Sequence, residues 1–274
     1  AFAGFIDSLM VSSLGPYSVA AVGLTTQPKF VGLAMFTAIS VSVSAIVARR
    51  RGENNRMAAH DTLVTALVVV AIASILMSSL FVWFAEPIIR LCGSSSQTHT
   101  EATLYFRIIM GGIIFNCIQT CINSAQRGAG KTRITMVTNL VSSGVNVLFN
   151  YILISGKFGF PALGIKGAAI ATVMGTAMGC FMSIKSLFKK DGFLSIKYIF
   201  QEKIRPRLES LKKIIYFGYS IFIEQVLLRV GLMATAIMAA DMGDYEMAAH
   251  QVAMHILSLS FSFGEGLQSA SVAL

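Results

Sequence analysis

The stretch Lys185–Lys213, KSLFKKDGFLSIKYIFQEKIRPRLESLKK, divides the sequence into two parts. It carries nine Lys or Arg residues against three acids, and apolar stretches of membrane-crossing length lie on both sides of it. Because Lys and Arg resist translocation and are retained inside the cell, the stretch is predicted to be a cytoplasmic connector between two sets of membrane spans.

The composition supports a multi-span helical membrane protein. Of the 274 residues, 55% are hydrophobic and 13% are charged, and the mean hydropathy is +0.70, which is more apolar chain than a soluble core absorbs. Sixteen of the 22 Lys and Arg residues fall in Ala48–Arg56, Arg127–Arg133 and the connector. Alternating spans place these three loops on one side of the membrane. The net charge of +9 therefore reflects topology, and we expect no nucleic acid partner.

The apolar pattern predicts an all-α fold with six spans before the connector and two after it. The polar stretch Glu86–Glu101 is predicted to be a loop on the non-cytoplasmic side, and Pro28 is the expected place for a bend in the second span. We predict a first six-helix bundle over 1–187, a connector over 188–209, and the start of a second bundle over 210–274. The predicted spans are the residues before Gly15, Ser18–Ala48, Met57–Ala85, Ala102–Ala125, Ile134–Ser155, Ile165–Leu187, Ser210–Ala240 and the residues after Glu246.

A weak internal repeat relates the two parts. Residues 10–21, MVSSLGPYSVAA, share Met, Gly, Tyr, Ala and Ala with residues 238–249, MAADMGDYEMAA, at a constant offset of 228 residues. That offset covers six spans, an even number, so the repeat is predicted to be parallel, with an axis along the membrane normal. The chain lacks an initial Met and ends in an apolar run. We therefore expect a fragment with eight of twelve spans, unable to transport by itself.

Asp7 is the first candidate functional residue. It lies eight residues before Gly15, which places it about 12 Å inside the membrane from the end of the first span. An intramembrane carboxylate is costly and usually serves an ion or proton pathway, although Ser8 or Ser12 could also satisfy it.

Three further residues are candidates on later spans. Asn146 and Asn150 are four residues apart on one helical face and bracket the depth of Asp7, so with it they form a predicted site for Na⁺ or a proton. Hydrogen bonds between helices explain the two asparagines equally well. Glu224 is an acid near the middle of the seventh span, where a structural ion pair with Arg229 is the competing interpretation.

Several other chemistries lack support in the sequence. The four cysteines, Cys92, Cys117, Cys121 and Cys180, form no CxxC and have no spacing to histidine that suggests zinc, so neither a disulfide framework nor a cofactor is expected. The GAGKT of Gly128–Thr132 fails as a phosphate-binding loop because Ala125 replaces its first Gly. No nucleophile and base stand at a catalytic spacing, so we do not expect an enzyme.

The residues resemble the multidrug and toxic compound extrusion (MATE) family over essentially the whole chain. The most specific part is Gln126–Val173, where an Arg-Gly…Gly turn precedes an Asn-rich helix and a Gly-x-x-Gly-Ala-Ala-x-Ala-Thr helix start. Ile6–Leu24 and Phe217–Gln225 are similar to the family's first-helix and seventh-helix motifs.

The resemblance implies a twelve-helix plasma-membrane exporter made of two six-helix bundles. It implies antiport of cationic or amphipathic organic compounds against Na⁺ or H⁺, by a protein that we expect to be monomeric. By position, Asp7 matches the family's aspartate implicated in cation coupling, Asn146 a polar partner, and Glu224 a cation-site glutamate of the sodium-coupled branch. Asn150 stands where the proton-coupled branch has an aspartate, which leaves the coupling ion open, and a further acid is expected beyond Leu274.

Two alternative functions stay open at this point. A flippase for a lipid-linked saccharide would need a more cationic cavity than the few intramembrane Lys and Arg residues suggest. A membrane scaffold or receptor that transports nothing would tolerate neutralisation of Asp7.

Overall fold

The structure, a computed structural model, describes residues 9–157, 159, 161–188 and 192–273. All regular secondary structure in these residues is helical, which confirms the expected all-α class. Residues 9–12 are helical and precede Gly15. The helices that follow are α1 Pro16–Gly52, α2 Arg56–Trp83, α3 Ala85–Leu91, α4 His99–Gly111, α5 Ile113–Gly128, α6 Thr132–Ser155, α7 Ile165–Ser186, α8 Ile196–Gln201, α9 Leu208–Met242 and α10 Asp244–Ala273.

Five helices in the described part of the chain are long and apolar enough to cross a membrane. They are α1, α2, α6, α7 and α9, and they match the predicted second, third, fifth, sixth and seventh spans to within four residues at each end. Helix α1 continues through Pro28, which lacks a backbone donor, as one α-helix. Helix α10 begins after the acidic turn as expected and has 30 residues, but it is not among the five.

The predicted fourth span was wrong as a single helix. The structure has two helices, α4 and α5, that meet at Gly112 with a bend of 46°, and together they are longer than expected at both ends. Gly111 and Gly112 are poor helix formers, which permits the break. Contact with α7 also favours glycine here, because a Cβ added to Gly112 would lie 2.5 Å from Cγ1 of Val173.

The predicted loop Glu86–Glu101 was also wrong in part, since it contains most of the short helix α3. Ala85 and Ile89, one turn apart on α3, are both buried against the main core. The loop interpretation missed this helix because its apolar pattern covers only two turns. The connector similarly contains α8, and α9 starts two residues before the predicted seventh span.

Helix α1 lies at the centre of the packing and contacts α2, α4, α5, α9 and α10. Small residues let its neighbours approach closely: a Cβ on Gly128 of α5 would clash with the carbonyl oxygen of Ser44. The buried core around it includes Val43, Leu63 and Phe106.

The three basic segments meet at one end of the helices, which we call the basic end. The guanidinium of Arg51 lies against Gly130, and Arg56 donates hydrogen bonds to the carbonyl of Phe193 in the connector. Their common location agrees with the alternation of spans. Which side of a membrane this end faces stays a prediction.

The opposite end is closed by contacts between the first six spans and the last two. The Ser95 hydroxyl donates to the Asp244 carboxylate at 2.9 Å, and Gly93 lies against Ala240, where an added Cβ would be 3.0 Å from the Ala240 Cβ. Nearer the basic end, a Cβ added to Gly218 of α9 would lie 3.1 Å from Oγ of Ser42, so α9 contacts the first half of the chain towards both of its ends. The domain boundaries stay a prediction.

Candidate cation and substrate site

Helices α6 and α7 pack unusually closely, and this contact shapes the candidate site. A Cβ added to Gly175 of α7 would lie 2.6 Å from the carbonyl oxygen of Ser142 and 2.9 Å from the Cβ of Asn146. A Cβ on Gly167 would lie 2.7 Å from the carbonyl oxygen of Leu153. Glycine at these positions brings the backbones together and places the Asn146 side chain directly against α7.

The two predicted asparagines form a hydrogen-bonded chain with a threonine of α7. Asn146 Nδ2 donates to Thr172 Oγ1 at 3.0 Å, and Asn150 Nδ2 donates to Asn146 Oδ1 at 3.4 Å. The Thr172 hydroxyl in turn donates to the carbonyl of Ala168 at 3.0 Å. Asn150 is fully buried. This hydrogen-bonded chain presents amide and hydroxyl oxygens. Such oxygens coordinate hard monovalent cations and accept hydrogen bonds from protonated water.

Thr172 is a member of this group that the sequence reasoning missed as a site residue. It is the last residue of the GAAIAT stretch Gly167–Thr172, which was used only to recognise the start of a helix. Its position five residues after Gly167 and three before Gly175 marks the glycine-lined face of α7, and that was the available signal.

The end of α6 agrees with the sequence prediction, and the depth of the asparagines in a membrane stays a prediction. Helix α6 ends at Gly156, whose left-handed conformation (φ 66°) caps it. Asn146 and Asn150 are ten and six residues before that glycine, or about 15 and 9 Å along the helix from the opposite end. Asp7, the third member of the predicted site, lies outside the described residues.

Glu224 lies elsewhere. It is exposed on α9, and α9 makes its main contacts with α1, α2 and α10 rather than with α6 or α7. Arg229, the partner in the competing interpretation, has its guanidinium 4.3 Å from the centroid of the Phe30 ring, and its pairing with Glu224 stays a prediction. The structure therefore brings Asn146 and Asn150 together and leaves Glu224 on a separate surface.

Two cations of different spans meet on one aromatic ring. Lys29 Nζ lies 5.1 Å and the Arg229 guanidinium 4.3 Å from the centroid of Phe30. Lys29 is 13 residues after the start of α1 and Arg229 is 13 residues before the end of α9. Both are thus about 20 Å from the opposite end, near the middle of a bilayer.

A second polar cluster lies nearer the basic end, between α5, α6 and α7. The Asn123 Oδ1 accepts hydrogen bonds from Ser183 at 3.0 Å and Thr138 at 3.2 Å, and Gln119 Nε2 donates to Asn139 at 3.1 Å. None of these residues was predicted as a site residue. Their mutual hydrogen bonds satisfy polar groups that lipid would leave unpaired.

A protein-family model described as MatE matches residues 1–152, more than half of the 274-residue chain. The chain belongs to the MatE family. The family match confirms the resemblance to the MATE family that the Gln126–Val173 motifs indicated.

Curated relatives of this MatE chain carry transporter names. A probable multidrug resistance protein NorM of Thermotoga maritima is 26% identical over 272 residues, which are 99% of this chain and 58% of that protein. A protein of the same name from Bacillus cereus is 30% identical over 264 residues, which are 94% of this chain and 56% of that protein. The chain thus spans little more than half the length of these relatives. They are named as probable multidrug resistance proteins and not as enzymes, which agrees with the expectation.

Solved structures of the family have the same fold. One described as the inward-facing conformation of a multidrug resistance MATE family transporter of the MOP superfamily gives a TM-score of 0.83 at 25% identity, over 94% of this chain and 57% of that chain. A MOP superfamily transporter from Pyrococcus furiosus also gives 0.83, at 24% identity, and covers 99% of this chain and 58% of that chain. The MATE-like helical fold expected from the sequence is confirmed.

Proposed function

We propose that the longer protein, of which we expect this MatE chain to be a part, is a secondary active antiporter. It exports cationic and amphipathic organic compounds in exchange for Na⁺ or H⁺, across the plasma membrane and with the basic end in the cytoplasm. Membership of a transporter family and relatives named as probable multidrug resistance proteins support this proposal.

The observation that carries the coupling part of the proposal is the hydrogen-bonded chain from the buried Asn150 through the half-buried Asn146 to the half-buried Thr172. A row of amide and hydroxyl oxygens between two apolar spans is costly unless it is satisfied, and intramembrane polar groups of this kind commonly serve ion pathways. In the proposed mechanism Asp7 supplies the charge that attracts the cation. The oxygens of Asn146, Asn150 and Thr172 supply neutral ligands or hydrogen-bond partners for a bound water.

The proposed antiport cycle needs differential binding in two states. A cation that binds the outward-open state more tightly than the inward-open state shifts the equilibrium between them, and the substrate must do the reverse. In this structure the opposite end is closed by Ser95, Asp244 and their neighbours, so outward opening requires these contacts to separate. Glu224, on a span of the second half, is proposed as a second cation-binding acid.

A test uses inside-out vesicles that contain the longer protein and follows accumulation of a fluorescent cationic dye under a Na⁺ gradient, then under an H⁺ gradient. Asp7→Asn and Asn146→Ala are expected to abolish accumulation under the gradient that drives it in the unaltered protein. Asn139→Ala is the control for loss of an asparagine on the same helix, since Asn139 accepts from Gln119 and Asn123 in the second polar cluster and lies outside the chain of Asn146. Antiport through this site is rejected if dye accumulation is independent of both gradients. It is also rejected if accumulation persists in the Asp7→Asn variant.

A second candidate function, a flippase for a lipid-linked saccharide, is favoured by one observation. The cationic pair of Lys29 and Arg229 around Phe30 suits a phosphate better than an organic cation. Gradient-independent movement of a fluorescent phosphate-linked lipid, abolished by Arg229→Gln, would support this alternative.

A further inference from the structure

The connector between the two halves is bound to α2 over the segment 192–207, which we call the strap. At its start, the Arg56 guanidinium donates hydrogen bonds to the carbonyls of Gly192 at 2.7 Å and Phe193 at 2.9 Å. The same guanidinium lies 4.7 Å from the centroid of the Tyr198 ring. One arginine of the first turn of α2 therefore binds three residues of the strap.

A buried histidine continues this attachment. His60, which is fully buried, places Nδ1 2.8 Å from the Arg56 carbonyl, and its Nε2 accepts the backbone N–H of Ser195 at 3.0 Å. Since Nε2 accepts and Nδ1 faces a carbonyl, the ring is neutral with its proton on Nδ1. The ring also packs against Tyr198, with centroids 4.7 Å apart.

The end of the strap is attached to the same helix. The Arg207 backbone N–H donates to Thr65 Oγ1 at 3.0 Å, and its guanidinium pairs with the Asp61 carboxylate at 3.4 Å. The attachment sites on α2 run from Arg56 to Thr65, which is nine residues or about 14 Å of a span. The strap thus lies against the first three turns of α2 at the basic end, where a span that begins at Arg56 is expected to enter the headgroup region.

The face of the strap that points away from α2 is basic and aromatic. Leu194 and Ser195 are buried against the protein, whereas Lys197, Lys203 and Arg205 are exposed. Phe200 lies on this outer face with 78% of its surface exposed. The one acid in residues 192–207 is Glu202.

We propose that this outer face binds anionic phospholipid in the leaflet at the basic end. Lys197, Lys203 and Arg205 bind the phosphate oxygens of the headgroup, and Phe200 inserts at the boundary between headgroups and acyl chains. Charge complementarity favours this occupant, because a basic surface at headgroup depth attracts anionic lipid and an aromatic ring at that level prefers the interface to water. The proposal does not depend on the coupling ion or on the exported compound.

The test measures the thermal unfolding midpoint of the longer protein in a neutral detergent, with increasing phosphatidylglycerol or phosphatidylcholine. The unaltered protein is expected to show a larger rise with phosphatidylglycerol, and the triple variant Lys197→Gln, Lys203→Gln, Arg205→Gln is expected to lose at least half of that difference. The matched control replaces three basic residues of the opposite end, Arg90, Lys157 and Lys166, by Gln and is expected to keep it. All six side chains are exposed, so folding is not at risk.

A second variant separates lipid from a soluble acidic partner. Phe200→Ser keeps every charge but removes the apolar group, so it is expected to reduce the phosphatidylglycerol effect and the amount of anionic lipid that co-purifies. An equal response to the two lipids, or the same response in the triple variant and its control, overturns the proposal. So does a Phe200→Ser variant that binds anionic lipid as the unaltered protein does, which would favour an acidic protein as the occupant.

Discussion

Tyr17 and Tyr245 stand at equivalent positions of the predicted repeat, and their rings pack together at the opposite end with centroids 6.1 Å apart. Two residues before each tyrosine, Gly15 (φ 106°, ψ 170°) and Gly243 (φ 145°, ψ 168°) have similar backbone conformations at the start of a helix. Contact between equivalent residues is what a two-fold axis produces. These equivalences support a parallel repeat whose axis passes near the two tyrosines.

The same end offers a direct test of alternating access. Ser95 and Asp244 join the first six predicted spans to the last two by a 2.9 Å hydrogen bond, which the outward-open state of the proposed antiport cycle would have to separate. Joining Ser95→Cys to Asp244→Cys with a short bifunctional thiol reagent is expected to abolish transport, and a reducible reagent should restore it after cleavage. Transport is measured as dye accumulation in vesicles, in a background without the four native cysteines.

Each single cysteine variant, treated with the same reagent, is the control and is expected to keep transport. Full activity in the cross-linked protein would show that this end does not need to open.

Cys92 supplies a second measure of opening at this end. It is buried in a cluster that includes Ala236 of α9, and burial raises the pKa of its thiol to about 11. Because the thiolate is the nucleophile, alkylation at pH 8 is expected to be about 200-fold slower than for an ordinary cysteine with a pKa of about 8.5. The rate should rise with pH up to about 11 and should also rise whenever the end opens.

Maleimide labelling of a variant with only Cys92 measures this rate, with the other three cysteines replaced by Ala. Labelling as fast as that of a free thiol at pH 8 would contradict the closed arrangement of Cys92 and α9.

The contact between α6 and α7 predicts opposite effects of the same substitution at two glycines. In Gly175→Ala the new Cβ would lie 2.6 Å from the backbone oxygen of Ser142, so the helices must separate. We expect a loss of about 1–3 kcal/mol in stability. Gly144→Ala on α6 is the control, because nothing lies within 4 Å of its Cβ and alanine favours the helix by up to about 1 kcal/mol.

Thermal unfolding midpoints in detergent distinguish the two variants. A Gly175→Ala midpoint equal to or above that of Gly144→Ala would mean that the two helices are not packed as closely as the structure has them.

Local patterns predicted most of the fold, and tertiary contacts account for the differences. The second, third and fifth spans follow from the sequence to within four residues at each end, and so does the placing of Asn146 and Asn150 on one face. The close approach of Val173 to Gly112 joins residues 61 positions apart, and no local pattern reports that contact. The structure also leaves the Glu224 side chain exposed on α9. Counting residues from the end of a helix predicts how deep a residue lies but does not predict its exposure.

Thr172→Val tests the residue that the sequence reasoning missed. The substitution keeps the shape of the side chain but removes the oxygen that accepts the Asn146 Nδ2–H, so Asn146 loses its fixed orientation. We expect weaker cation coupling, seen as a several-fold higher Na⁺ or H⁺ concentration for half-maximal dye export, with little change in the amount of folded protein. Thr176→Val is the matched control one turn away, because its hydroxyl bonds only to the backbone carbonyls of Thr172 and Val173. If both variants change the cation dependence equally, the effect belongs to the packing of α7 and Thr172 has no part in the site.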